Sequence, residues 1–321
     1  MPKLNRIVTT MQDLVSNNGT KMTSYWIAVD WGTSNLRAWA MGPEGVLASA
    51  GSEEGMGKLA KAEFEPALLR LISPWLIAEA TPVIACGMVG ARQGWMEAPY
   101  RSVPCAPVAP GELMAVPTTD PRIRMMIAPG LSQARPADVM RGEETQIAGA
   151  LALLPGFDGV FCLPGTHSKL VHVSAGEVVS FQTFMTGEMF ALLSQQSVLR
   201  HGMGGEGNDE AAFSQGLAEA MERPEKISAR LFTLRAEGLL NGLSPVAARS
   251  RLSGMMIGLE LAAAKPYWLG QRIALIGAEA LSTRYASALT AQGAVSESLD
   301  ATACTLAGLA AARGVLQKAK P

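Results

Sequence analysis

Cysteine and charge are both scarce in this chain, and long apolar runs are missing altogether. The four cysteines, Cys86, Cys105, Cys162 and Cys304, stand far apart and form no C-x-x-C pair. That spacing argues against a disulfide framework or a zinc site and for buried, reduced thiols. Charged residues make up only 17% and the net charge is -1, so the chain carries no electrostatic footprint for nucleic acid or an anionic membrane. No stretch approaches the roughly 18 uninterrupted apolar residues of a membrane span. The best candidate, Met255 to Ala264, is short and contains Glu260. The first 21 residues hold neither an apolar h-region nor a cleavage site, which excludes a secretory signal and predicts a cytoplasmic protein.

What is present is ample material for burial. Hydrophobic residues reach 48% of a 321-residue chain, long enough for two ordinary domains or one with an inserted lobe. Strand-like sequence begins only after Ser24. Residues 1–21 therefore read as a loose extension, or as the product of an upstream start with Met22 the working one. The expected division is this extension, an N-terminal lobe over 22–145 and a C-terminal lobe over 146–321.

The first motif is Tyr25 to Ala40, an apolar strand that runs into Asp30-Trp31-Gly32-Thr33-Ser34-Asn35 and returns as a second strand. Gly32 removes a side chain that would block approach, and amide and hydroxyl groups of Thr33, Ser34 and Asn35 suit phosphate oxygens. Asp30 suits a magnesium ion better than it suits phosphate, because two anions repel. Such residues are also ordinary turn formers, so the motif alone does not decide. Its echo does. A third strand (Val46 to Ala50), a helix (about Glu63 to Ile77), a strand (Pro82 to Cys86), a long loop (Met88 to Pro110), a strand (Ile123 to Ala128) and a helix (about Arg141 to Leu154) complete a first half. Then strand, small polar turn, strand, turn and strand recur over Gly159 to Phe181, with the turn Gly165-Thr166-His167-Ser168 and Lys169 after it. Two similar halves imply a cleft in which phosphates are held from both sides, with Lys169 facing phosphate or substrate.

Residues 186–265 read as mostly helical, followed by a strand over Ile273 to Ala278 and a last helix over Ala301 to Gln317. Gly277-Ala278 and the helix start that follows, up to Leu281, would make a smooth shelf for adenine or ribose. Glu143 and Glu144 open the helix after Gly142. Two acids there commonly do no more than complement the helix dipole. Glu144, however, precedes Ile147, Ala148 and Leu151 by three, four and seven residues, which aims it inward, where it can accept a sugar hydroxyl proton. Arg37, Arg92, Gln93, Trp95 and Arg101 are the candidate contacts to a small anionic sugar acid, since guanidinium pairs carboxylate bidentately. Gly202 to Gly207 matches G-x-G-x-x-G, but no strand feeds it, so the dinucleotide reading fails.

Taken together, V-D-W-G-T-S-N-L-R-A-W, A-C-G-M-V-G-A-R-Q-G-W, R-G-E-E-T-Q, P-G-T-H-S-K and F-M-T-G-E resemble the 2-dehydro-3-deoxygalactonokinase family of the sugar kinase/actin/chaperone ATPase superfamily. The resemblance implies an α/β, two-lobed, actin-like ATPase of ribonuclease-H-like topology, with a mixed central sheet and flanking helices in each lobe. It implies ATP with Mg2+ as cofactor and phosphorylation of the terminal (C6) hydroxyl of 2-dehydro-3-deoxy-D-galactonate by lobes that close over it. On this basis Asp30 to Asn35 is the first phosphate motif, with Asp30 the metal anchor; Gly165 to Ser168 is the second; and Gly277 and Ala278 belong to the adenosine motif. Relatives often place an aspartate on the junction helix, so Glu144 is favoured as base over Glu143, with Asp30 as fallback. The partner is a small sugar acid, with a homodimer as the expected assembly. Another sugar or sugar-acid kinase of the superfamily, or a non-catalytic nucleotide- or sugar-binding regulator, stays open as the alternative; no basic DNA-binding module accompanies residues 1–24.

Overall fold

The computed structural model describes residues 25–314 apart from Ala78 and Pro110; the expected N-terminal extension lies outside them. The chain forms two compact units. One runs to Pro155 and resumes at Thr302, and the other covers Gly156–Ala301. The division thus falls after the helix that follows Gly142, not at its start, and the last helix returns to the first unit.

The first unit begins with β1 (Trp26–Trp31), β2 (Leu36–Gly42) and β3 (Gly45–Ser52), followed by α1 (Phe64–Ile72) and β4 (Thr81–Gly87). After these come β5 (Tyr100–Ser102), β6 (Met114–Val116), β7 (Ile123–Ile127), β8 (Gly130–Gln133), β9 (Asp138–Met140) and α2 (Glu143–Leu153). Its main sheet has the order β3-β2-β1-β4-β7-β6. β1 to β3 form an antiparallel meander, while β4 lies parallel to β1 and β7 parallel to β4. The apolar run Trp26 to Val29 of β1 follows from its central place, covered on both faces. Ile27, Val29 and Trp31 pack with Phe64, Ala67, Leu68 and Ile72 of α1, whose spacing is one helical stripe. Trp26 and Ala28 face the other way and pack with Ile84, Cys86 and Leu309. α1 is shorter than its sequence suggested, passing at Ser73 into a 3₁₀ turn that contains Pro74, which has no N–H to continue the ladder.

The second unit repeats the plan with β10 (Gly159–Leu163), β11 (Ser168–Ser174) and β12 (Glu177–Phe184). The helices α3 (Thr186–Gln195), α4 (Glu210–Glu222), α5 (Ile227–Leu240) and α6 (Pro245–Ala263) follow. β13 (Ile273–Gly277), α7 (Glu279–Ala291) and β14 (Ser296–Asp300) close it. The sheet order is β12-β11-β10-β13-β14, again a meander from the central strand followed by two parallel strands. A meander followed by parallel strands on the inner side is the ribonuclease-H-like order, and the chain contains it twice. The last helix, α8 (Ala301–Arg313), belongs to the first unit from Thr302 onward. It lies so close to α2 that a Cβ on Gly149 would overlap the Cys304 carbonyl and one on Gly308 the Thr145 carbonyl. The expected extension of α8 to Gln317 passes beyond the described residues.

No disulfide joins the four cysteines, three of which are buried. Among the described residues, no helix is long and apolar enough to cross a membrane.

Candidate active site

The first turn is held from behind. The carbonyls of Gly32, Thr33 and Ser34 accept from the N–H groups of Met56, Gly57 and Gly55 at 3.0, 2.9 and 3.3 Å. A Cβ on Gly55 would overlap the Ser34 carbonyl carbon, so only glycine lets this segment close on the turn. Thr33, Ser34 and Asn35 remain exposed on the outer side.

Asp30, the penultimate residue of β1, stands beside three neighbours. Arg37, across the β1–β2 ladder, pairs with its Oδ2, and the Cys86 thiol approaches its Oδ1 at 3.9 Å. Gly87 adopts φ +92, and a Cβ there would stand 3.5 Å from Asp30 Oδ1 and 2.7 Å from the Trp31 carbonyl oxygen. A side chain at 87 would therefore fill the space in front of the carboxylate. Gly142, which precedes α2, comes close enough that its Cβ would lie 3.2 Å from Gly87 Cα. This contact brings the α2 N-terminus to the end of β4.

The two glutamates at that N-terminus separate sharply. Glu144 is fully buried, accepting from the Gly142 N–H at 2.7 Å and from the Thr145 hydroxyl at 3.2 Å. Burial, reinforced by the Glu143 charge, pushes its carboxyl up to about 8. Enclosed in this way, the Glu144 carboxyl presents no face to solvent. The inward direction read from the spacing is correct, but it leads into the core. Glu143 is half-buried, with Oε2 accepting from the Arg141 N–H at 3.1 Å.

The loop after β4 is folded rather than open. Trp95 packs with Trp31 and Phe64 at 6.3 Å from each ring, so it extends the core instead of facing a substrate. Arg101 is committed to Glu112 Oε2 and the Ala106 carbonyl, both at 2.6 Å. Arg37 is likewise held by Asp30. Arg92, paired loosely with Glu97 at 3.7 Å, and Gln93 stay exposed. Arg141 takes a place the sequence reading did not give it. It is buried over the Tyr100 ring at 4.2 Å and donates through Nη2 to the Ala98 carbonyl, while Nε and Nη1 have no hydrogen-bond partner among the described residues.

In the second unit, Gly165, Thr166 and His167 form the open part of the turn, with His167 bonded to Glu188 at 2.6 Å. Ser168 and Lys169 are buried, at 0% and 4% exposure, so neither faces solvent at the turn as expected. The N-terminus of α3 grips the turn. The Glu188 N–H donates to the Thr166 carbonyl at 3.0 Å, and a Cβ on Gly187 would overlap the Gly165 carbonyl oxygen. Beside it lies a cavity of about 250 Å³ whose lining includes Gly165, Phe190, Met256, Leu281 and Arg284. Arg284 is fixed by Asn208 and by Ser253 Oγ at 3.1 Å. Apolar walls with a few polar groups and a glycine turn at one end suit a purine nucleotide.

The family model of 2-keto-3-deoxy-galactonokinase matches residues 30–312. DgoK1 of Rhizobium meliloti (strain 1021), assigned as a 2-dehydro-3-deoxygalactonokinase, is 41% identical over 90% of this chain and 96% of its own. The chain belongs to the 2-keto-3-deoxy-galactonokinase family. The 2-dehydro-3-deoxygalactonokinase of Escherichia coli (strain K12) is 38% identical over 85% of this chain and 91% of its own. A crystal structure from Sinorhizobium meliloti that carries the family's name superposes with a TM-score of 0.85 at 40% identity, covering 91% of this chain and 99% of that one.

In this member of the 2-keto-3-deoxy-galactonokinase family, the lining of the cavity differs in part from the adenosine shelf expected from the sequence. Gly277 and Ala278 do not line the cavity; the wall begins one turn later, at Ala280 and Leu281. A Cβ on Gly277 would instead meet Ser282 Oγ at 3.1 Å and the Pro164 carbonyl oxygen at 3.4 Å. Gly207, set aside with the false dinucleotide motif, does line it. So do Arg249, one of a weaker arginine cluster in the sequence with Arg230, Arg235 and Arg251, and Ser253, both from α6. The back support of the first turn, Gly55-Met56-Gly57, had a signal in its paired glycines. Among the described residues no group of three or more His, Cys, Asp and Glu is set to hold a metal.

Proposed function

We propose that the protein is an ATP-dependent kinase for the C6 hydroxyl of 2-dehydro-3-deoxy-D-galactonate. The observation that carries this reading is a cavity of purine size lined by both Gly165 of the second turn and Leu281 of α7, in a chain of this family. The nucleotide base takes the apolar walls, and the amides of Thr166 and His167 face its phosphates. In the first unit the exposed Thr33, Ser34 and Asn35 present phosphate-type donors of their own.

Asp30 fits magnesium as a single hard oxygen ligand with a glycine-cleared space before it. Mg2+ commonly takes one or two carboxylates and completes its shell from phosphates and water, so a protein cage is not required. When bound, the ion supplies charge neutralisation at the phosphates. Arg37 balances the Asp30 charge in the free protein. Glu143, rather than Glu144, takes the sugar hydroxyl proton, because of the two it is the one open to solvent. Glu144 holds the α2 N-terminus through the Gly142 N–H. Arg92 and Gln93 are the loop side chains left open to a carboxylate. The activity belongs in the cytoplasm, where ATP is held.

An ADP-release assay over a panel of 2-keto-3-deoxy sugar acids, with galactonate- and gluconate-derived epimers side by side, tests the reading. Turnover greatest on the galactonate-derived acid supports it. Equal kcat/KM on simple hexoses moves the chain to a general sugar kinase, and no nucleotide turnover with any acceptor overturns it.

A further inference from the structure

The second turn rests on a buried acid with no assigned part. Glu260 lies on α6 at 2% exposure, among Met255, Met256, Ile257 and Leu261. Its Oε2 accepts from the Thr186 hydroxyl, at the start of α3, and from the Tyr285 hydroxyl of α7 at 2.7 Å. Since Tyr285 donates its proton to Glu260, the 3.0 Å contact between Tyr285 and Ser168 has the serine hydroxyl as donor. Ser168 Oγ in turn accepts from the Gly165 N–H at 3.4 Å. Among the described residues Glu260 Oε1 has no hydrogen-bond partner. One carboxylate oxygen thus gathers three elements and reaches the backbone of the turn through two hydroxyls. Gly165, Thr186 and Tyr285 all line the cavity.

An apolar residue would suit this part of α6 better on packing grounds. Burying a carboxylate without a cation costs stability, and hydrophobic replacement of such groups is often neutral or stabilising. The acid is therefore useful for what it holds. We infer that Glu260 is a positioning residue for the nucleotide site, setting the second turn and the α3 N-terminus in the geometry that receives phosphates. The inference rests on the nucleotide reading of this cavity and goes beyond it by assigning that geometry to one acceptor outside the turn.

The test compares the full-length wild type with E260Q, E260L and T186V. It reads ADP binding by calorimetry, KM for ATP and for the sugar acid, and the thermal midpoint. The expected result is a rise of about tenfold in ADP Kd and ATP KM for E260L, the scale of a lost charge-assisted hydrogen bond, with the sugar-acid KM and the midpoint held or the midpoint raised. E260Q, whose amide oxygen still accepts, falls between. T186V shifts nucleotide binding the same way and keeps the inference testable should E260L not fold.

A pH series gives a second readout. Burial pushes the Glu260 carboxyl up to about 7. The other titratable groups bearing on it, the Tyr285 phenol from α7 and the Cys162 thiol from β10, are both raised by burial and stay protonated. Wild-type ADP affinity falls as pH drops through about 7 and a proton competes with the two hydroxyl donors. E260Q lacks that step, while the titration of ADP itself is common to both. Wild-type ADP affinity in E260L and T186V overturns the inference, as does a parallel loss of nucleotide affinity, sugar-acid affinity and thermal midpoint. A wild type that binds neither ADP nor ATP overturns the nucleotide reading instead.

Discussion

Glu143 and Glu144 are neighbours of one chemistry, and the fold gives them opposite circumstances. The helical period aims Glu144 inward, but a period cannot tell a cavity from a core. The acid meets Gly142, Thr145 and Cys86, and its carboxyl rises to about 8. Because the folded pKa lies above the unfolded 4.5, the native state binds more protons between the two values, so stability falls as pH rises through that window and levels off above about 8. Glu260 contributes the same sign up to about 7. Melts of the wild type from about pH 5 to about 8 are expected to show a falling midpoint, and Glu144→Gln should flatten that fall while keeping the Gly142 contact. Catalysis divides the other way. Glu143→Gln is expected to lower kcat about a hundredfold or more, the general-base range, with ATP KM little changed. Asp30→Asn should cost about a hundredfold or more in kcat and weaken the magnesium dependence of nucleotide binding. Full activity in either variant removes that residue from its role.

At the scale of elements, the strong signals were continuous and the lost ones short. β1, β4, β10 and β13 announced themselves as apolar runs because both faces are covered. β14 reads Ser-Glu-Ser-Leu-Asp and has no apolar run, since an edge strand is specified by its pairing with β13. β5, β6 and β9 have three residues each, too few to set a period. The long loop dissolved into a 3₁₀ turn, β5 and tight contacts for the same reason. Contact between elements left a fainter trace in single glycines. Gly308 lets α8 meet the Thr145 carbonyl. Gly308→Ala is expected to destabilise by about 1–3 kcal/mol, the usual cost of overpacking, measured by urea unfolding with unchanged slope. An unaltered midpoint would mean that the helices separate freely.

The whole molecule is one topology used twice, and each copy buries an acid near its turn, Glu144 in the first unit and Glu260 in the second. Nucleotide that binds only the folded state stabilises it, by about 2.7 kcal/mol at a hundred times its Kd. ADP is therefore expected to raise the thermal midpoint in a concentration-dependent way, and no shift at saturating ADP would count against the nucleotide cavity.

The sequence alone determined the repeated strand–turn–strand plan, the two small polar turns and the family, because these reside in local runs whose period and residue types do not depend on distant partners. Only the tertiary structure decided which residues at those turns are open. Ser168 and Lys169 are buried although Thr166 and His167 just before them are exposed, and Glu144 is buried beside half-buried Glu143. Arg37 and Arg101 meet carboxylates brought to them by strand pairing and loop closure. The cavity beside Gly165 takes walls from α3, α6 and α7, segments far apart in the chain. Burial and pairing are properties of what the rest of the chain brings alongside, and that is set by packing.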